Sequence, residues 1–111
     1  MISLKRRIGA RILELRRGRD LSQAAVAEAA GVSTNHISLI ERGKRFPSLK
    51  VLEDIARALH VPLHRLFISG HEQPGAEQLE REIAQLTAYL ATRSPRDIRK
   101  IHDIARKILE G

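Results

Sequence analysis

The chain has 111 residues and is 42% hydrophobic, yet it holds only two Phe, one Tyr and no Trp, so Leu, Ile, Val and Ala must build its core. That length allows one domain with an appendage or two very small units, and the absence of cysteine excludes disulfides, thiolate catalysis and thiolate zinc sites. The formal charge of +7 lies wholly in residues 1–69, with 13 Lys+Arg against 6 Asp+Glu, while residues 70–111 balance at 7 each; a polyanion is the simplest partner for such a field.

Residues 4–17 place Leu4, Ile8, Ile12 and Leu15 at steps of four, four and three, which predicts a first helix stopped by Gly18. Its other faces carry Lys5, Arg6, Arg7, Arg11, Arg16 and Arg17, near solvent or phosphate. Ser22 is the expected N-cap of a second helix whose apolar stripe, Val26, Ala27 and Ala30, is thin enough for close packing before Gly31 turns the chain. Ser33 caps a third, with Ile37 and Ile40 inward and Thr34, Asn35, Ser38 and Leu39 outward. An apolar inner face beside an outward set of small polar groups suits entry into a DNA groove.

A cationic loop, Arg42, Lys44 and Arg45 around Gly43, follows the third helix. Pro47-Ser48 then opens a fourth with Leu49, Leu52, Ile55, Ala56 and Leu59 at helical spacing, and Pro62 begins a brief fifth with Leu63, Leu66 and Phe67. The expected fold is all-α: a five-helix bundle over residues 1–68, a linker over 69–76 containing two Gly and a Pro, and a two-helix hairpin over 77–111. Leu79, Ile83, Leu86 and Leu90 form the stripe of the first hairpin helix; Ser94-Pro95-Arg96-Asp97 starts the second, which carries Ile98, Ile101, Ile104, Ala105, Ile108 and Leu109. Such a hairpin cannot bury both faces alone. Two outcomes are open: it folds back on its own bundle, or Leu79, Ile83, Leu86, Leu90, Ile98, Ile101 and Ile108 meet a second copy, which is the favoured expectation.

Catalysis finds no support, since no nucleophile elbow, phosphate-binding glycine loop or HExxH pair occurs. His60 and His64 are four apart, but Pro62 interrupts the helix between them, so neither a metal nor any other cofactor is expected and both read as surface histidines. The start of the chain lacks the apolar stretch of a secretory signal, and no run of 18 apolar residues exists. A cytoplasmic protein with no membrane contact is expected.

Ser22-Gln23, Ala27, Gly31-Val32-Ser33, Ile37, Ile40-Glu41-Arg42-Gly43-Lys44-Arg45, Pro47-Ser48-Leu49 and Ile55-Ala56-Arg57-Ala58-Leu59 occur in order. With them, residues 4–68 resemble the phage repressor and Cro-like helix-turn-helix family of transcriptional regulators. The resemblance implies that Thr34, Asn35 and Leu39 read bases, with Ser38 and His36 as neighbours, His36 either touching phosphate or packing on the second helix. It implies phosphate contacts for Gln23, Arg42, Lys44 and Arg45. It also pairs Arg16 with Glu41, either as a poorly solvated ion pair that fixes the helix angle or as an ordinary surface contact. Ala24 and Ala25 stand where relatives carry polar or charged groups, so the hydrogen-bond code is sparse. The implied function is a sequence-specific regulator, a repressor that binds a palindromic operator in double-stranded DNA as a homodimer. The family also contains antitoxins, so a toxin or an antirepressor on the C-terminal segment is the alternative partner.

Overall fold

A computed structural model describes residues 3–67, 81, 84, 88 and 98–110. The helices are α1 (Leu4–Gly18), α2 (Gln23–Ala30), α3 (Thr34–Glu41), α4 (Leu49–Ala58) and α5 (Ile98–Glu110), with a 3₁₀ helix (Leu63–Phe67) after α4. No strand occurs among the described residues. The 3₁₀ helix stands where the sequence pattern suggests a fifth α-helix. Leu79, Ile83, Leu86, Leu90 and the 69–76 linker lie outside the described residues, as does the Ile108 side chain.

Four serines start the first four helices by one device. Ser3, Ser22, Ser33 and Ser48 each hold extended backbone while the hydroxyl accepts the N–H three residues on, from Arg6, Ala25, His36 and Val51 at 3.0–3.3 Å. Each such cap is worth about 1 kcal/mol.

The same four helices stop by a second shared device, a pair of bonds folded back over a left-handed residue. Leu21, Val32, Lys44 and Val61 donate to the carbonyls of Arg16, Ala27, Leu39 and Ala56 at 2.9–3.1 Å. The left-handed residues are Asp20, Gly31, Gly43 and His60, with φ between 54° and 70°. Two of them are not glycine. Gly18, expected as the stop of α1, is its last helical residue, and Asp20 takes the positive φ, as the short carboxylate side chain permits.

The core joins Leu4, Ile8, Ile12 and Leu15 of α1 to Ile37 and Ile40 of α3, and Leu49, Leu52 and Ile55 of α4 to the 3₁₀ residues Leu66 and Phe67. α3 packs against both α1 and α2, α4 against α2, and the 3₁₀ helix closes on α1 and α4. Arg11 of α1 donates its Nε to the Arg65 carbonyl at 3.2 Å, tying the 3₁₀ helix to α1.

The last helix completes this same core. α5 packs on the 3₁₀ helix, and Ile101 and Ile104 are 1% and 5% exposed within the bundle's own apolar cluster. Ile101, expected at a seam between copies, is therefore covered by its own chain. An amphipathic stripe states that a face is buried without stating by what. Ile98 remains 43% exposed, and Lys100 reaches Glu53 of α4 at 3.3 Å. His64 also departs from the surface reading: its Nδ1 is buried without a hydrogen-bond partner among the described residues.

Gly9 sets the distance between α1 and α3. A Cβ there would collide with the Ile40 carbonyl oxygen and lie 2.9 Å from that of Glu41, so the two backbones touch where no side chain fits. Gly18 has nothing within 4 Å of such a Cβ. Gly9→Ala is expected to lower stability by about 1–3 kcal/mol through overpacking, whereas Gly18→Ala raises it by about 0.4–1 kcal/mol by reducing unfolded-state entropy. Urea unfolding of the two variants checks both signs.

Candidate nucleic-acid interface

The site is built on a buried carboxylate. Glu41, the last residue of α3, has a side chain only 3% exposed, against 12% for its partner Arg16 of α1. Arg16 meets it bidentately, Nε to Oε2 at 2.7 Å and Nη2 to Oε1 at 3.1 Å, and a third donor, Nη1, reaches the Leu21 carbonyl at 2.9 Å. Gln23, the first residue of α2, donates Nε2 to Glu41 Oε1 at 3.0 Å. One carboxylate thus gathers the end of α1, the start of α2, the loop between them and the end of α3. The geometry is that of a poorly solvated pair rather than a surface contact.

With α3 clamped at its C-terminal end and capped at Ser33, its first turn projects Thr34 and Asn35 into solvent. Ile37 and Ile40, on the opposite face, are 0% and 1% exposed. Ser38 and Leu39 are half-buried, so the fully outward set is narrower than the sequence pattern suggests. His36 is half-buried with its Nε2 covered and without a partner among the described residues, and burial followed by the nearby Arg45 charge pulls its pKa below 6.5. That covered nitrogen does not face the solvent side of α3.

Arg42, Lys44 and Arg45 are exposed immediately after α3, and Arg42 Nε caps the Ser38 carbonyl at 3.3 Å. Gln23, expected on phosphate, spends one amide hydrogen on Glu41 and keeps its second N–H and its oxygen. Gly9 and the Leu21 carbonyl belong to this support, and the residue pattern alone passes over both. A glycine inside α1, at about 1 kcal/mol less favourable than alanine, was the available signal for Gly9. Among the described residues no cluster of His, Asp or Glu could hold a metal ion, and no helix is long and apolar enough to cross a membrane.

A stiff helix with small polar groups on its outer turn, cations behind it and a buried brace beneath it defines a helix-turn-helix DNA-binding protein. Residues 12–66 match the family described as helix-turn-helix. The chain is 36% identical over 80 residues to the HTH-type transcriptional regulator SinR of Bacillus subtilis, covering 71% of this chain and 72% of that protein. It is 33% identical over 103 residues to the immunity repressor protein of Bacillus phage phi105, covering 93% of this chain and 65% of that one. The solved SinR protein/SinI protein complex superposes with a TM-score of 0.54 at 28% identity, over 90% of this chain and 98% of the matched chain. The chain belongs to the phage repressor and Cro-like helix-turn-helix family: it is a repressor-like, DNA-binding transcriptional regulator, not an enzyme.

Removing either partner of the clamp leaves a buried charge. Arg16→Ala or Glu41→Ala is expected to cost about 3–5 kcal/mol, and the double variant much less than the sum of the two. Denaturant titrations of the four proteins in a double-mutant cycle measure this coupling.

The histidines add a pH dependence. His64 is shifted downward as His36 is, by burial first and then by the Arg65 and Lys107 charges, so the folded chain binds these protons less readily than the unfolded chain. Their contribution to stability is complete above the unfolded value of 6.5 and is lost as pH falls through it towards the lower folded-state values. Midpoints of urea unfolding between pH 8 and pH 5 should fall with acidification for the wild type, and less steeply for the His36→Gln/His64→Gln chain.

Proposed function

We propose that the chain represses transcription by binding a palindromic operator as a homodimer, with α3 of each copy in successive major grooves about 34 Å apart. Asn35 is the principal reader, its amide matched to adenine N6 and N7, with Thr34 and Leu39 beside it and Leu39 offering an apolar contact to a thymine methyl. Gln23, Arg42, Lys44 and Arg45 hold phosphates and set register. A bound dimer overlapping a promoter excludes polymerase, and the protein works in the cytoplasm, where the DNA is. The observation that carries this reading is the exposure of Thr34 and Asn35 on the capped first turn of α3, next to three exposed cations.

Because Ile101 is buried within its own chain, the proposed dimer contact uses Ile98 and Ile108 with the stripe of Leu79, Ile83, Leu86 and Leu90. The relative SinR was solved in complex with a second protein, SinI. By analogy a regulating protein, an antirepressor or a toxin, is the competing occupant of the C-terminal segment here.

Selection of bound sites from random duplexes with the purified chain tests the reading directly. A symmetric pair of half-sites is expected, and a single half-site with a monomeric chain in sedimentation would overturn the dimer. Asn35→Ala should cost about 1–3 kcal/mol on the selected duplex and leave random DNA nearly unchanged. Equal weakening on both would remove Asn35 from the readers.

A further inference from the structure

We propose that Arg6, in the first turn of α1, is an additional DNA-phosphate contact, seated by Gly43 into the same cationic rim as Arg42, Lys44 and Arg45. This rests on the DNA reading above and assigns the backbone grip a residue from a different helix.

Gly43 is buried and holds φ +70°. A Cβ there would lie 2.6 Å from Arg6 Cγ, 2.9 Å from its Cα and 3.1 Å from its Cβ, so the root of Arg6 rests directly on the loop backbone between Arg42 and Lys44. Glycine at 43 therefore serves two ends: it permits the turn that stops α3, and it lets α1 bring a fourth cation to that turn. The root is fixed as well as placed, since Arg6 N–H donates to the Ser3 hydroxyl at 3.3 Å.

The local electrostatics oppose this placement. The N-terminal turn of a helix favours acidic side chains, and the third position after a serine cap commonly holds Glu. Here the first turn of α1 contains no acid, and its third position is Arg6. Among the described residues Arg11, Arg16, Lys50, Arg57, Lys100 and Arg106 each meet a carboxylate, whereas other exposed cations such as Lys5, Arg17 and Arg65 do not. Arg6, Arg42, Lys44 and Arg45 are all exposed, and none has a carboxylate partner among the described residues. Four like charges without carboxylate partners among the described residues, one of them at a helix end that disfavours it, fit a polyanion as the missing partner. The rim begins at the residue after α3, so the polyanion it fits is the backbone flanking the groove that α3 enters. An acidic protein surface would need no such continuity with α3.

The test is a salt titration of affinity, read by fluorescence anisotropy on the selected duplex and on a random one, with the full chain. Arg6→Gln keeps most of the stem on Gly43 and removes the charge. It should reduce the slope of log K against log salt by about 0.9, and so shrink the affinity loss between 50 and 200 mM salt by about threefold, equally on both duplexes. Arg45→Gln should do the same, and Arg6→Lys should keep the wild-type slope. An unchanged slope in Arg6→Gln, with the slope of Arg45→Gln reduced, would overturn the proposal and leave the DNA reading standing. A reduced slope in Arg6→Lys would also overturn it, marking Arg6 as a structural cover for Gly43. A wild-type chain that binds neither duplex would overturn the DNA reading itself, and the proposal with it.

Discussion

The buried carboxylate of Glu41 is the constraint on which the geometry of the binding face depends. A lone carboxylate at 3% exposure is untenable in its charged form. It is sustained by two bonds from Arg16 and one from Gln23, and Arg16 in turn satisfies the Leu21 carbonyl. Those donors come from α1 and α2, so α3 cannot rotate or slide without stranding a charge. An apolar contact at that place would tolerate small shifts at little cost. The ion pair has an angular requirement, and that requirement is what a helix that must match base edges needs.

The clamp works only because α1 and α3 approach unusually closely. Gly9 removes the side chain that would keep the two backbones apart, and the Glu41 carbonyl lies in that contact. From this point α1 continues towards its C-terminal end, where Arg16 reaches the Glu41 side chain. Towards the other end it continues to Arg6, which rests on Gly43. Three positions along α1 thus settle the placement of α3 and its following loop. The thin Val26, Ala27 and Ala30 stripe of α2 fulfils the corresponding role from the other side.

The sequence made the starts of α1 to α4 more legible than their ends. Serine before an apolar-periodic run has one common physical use, and Ser22, Ser33 and Ser48 cap as that use predicts. The stops are ambiguous because the left-handed residue need not be glycine. Gly31 and Gly43 are marked in the sequence, whereas Asp20 and His60 are not. The inward face of α3 and its exposed first turn follow from periodicity, whereas Ser38 and Leu39 are half-buried where the pattern puts them outward; the pairing of Arg16 with Glu41 follows from the family resemblance. What periodicity cannot encode is the identity of the covering surface. Ile101, whose stripe favours a seam between copies, lies instead with Ile104 in the last layer of its own bundle. His64, too, looks like a surface group until α5 lies near it.

That placement of α5 changes how the C-terminal segment relates to the DNA-binding face. Ile101 and Ile104 share a cluster with Leu66 and Phe67 of the 3₁₀ helix, and the 3₁₀ helix packs on α1, the helix that carries Arg16 and Gly9. Burying two isoleucine side chains contributes about 3–6 kcal/mol of transfer free energy in all, a sizeable fraction of the stability of a small domain. A partner that drew α5 away would have to compensate for that loss, and it would weaken the support beneath α1 while leaving every groove-facing residue untouched. By thermodynamic linkage, a ligand that binds more tightly when α5 is docked favours the docked state in turn.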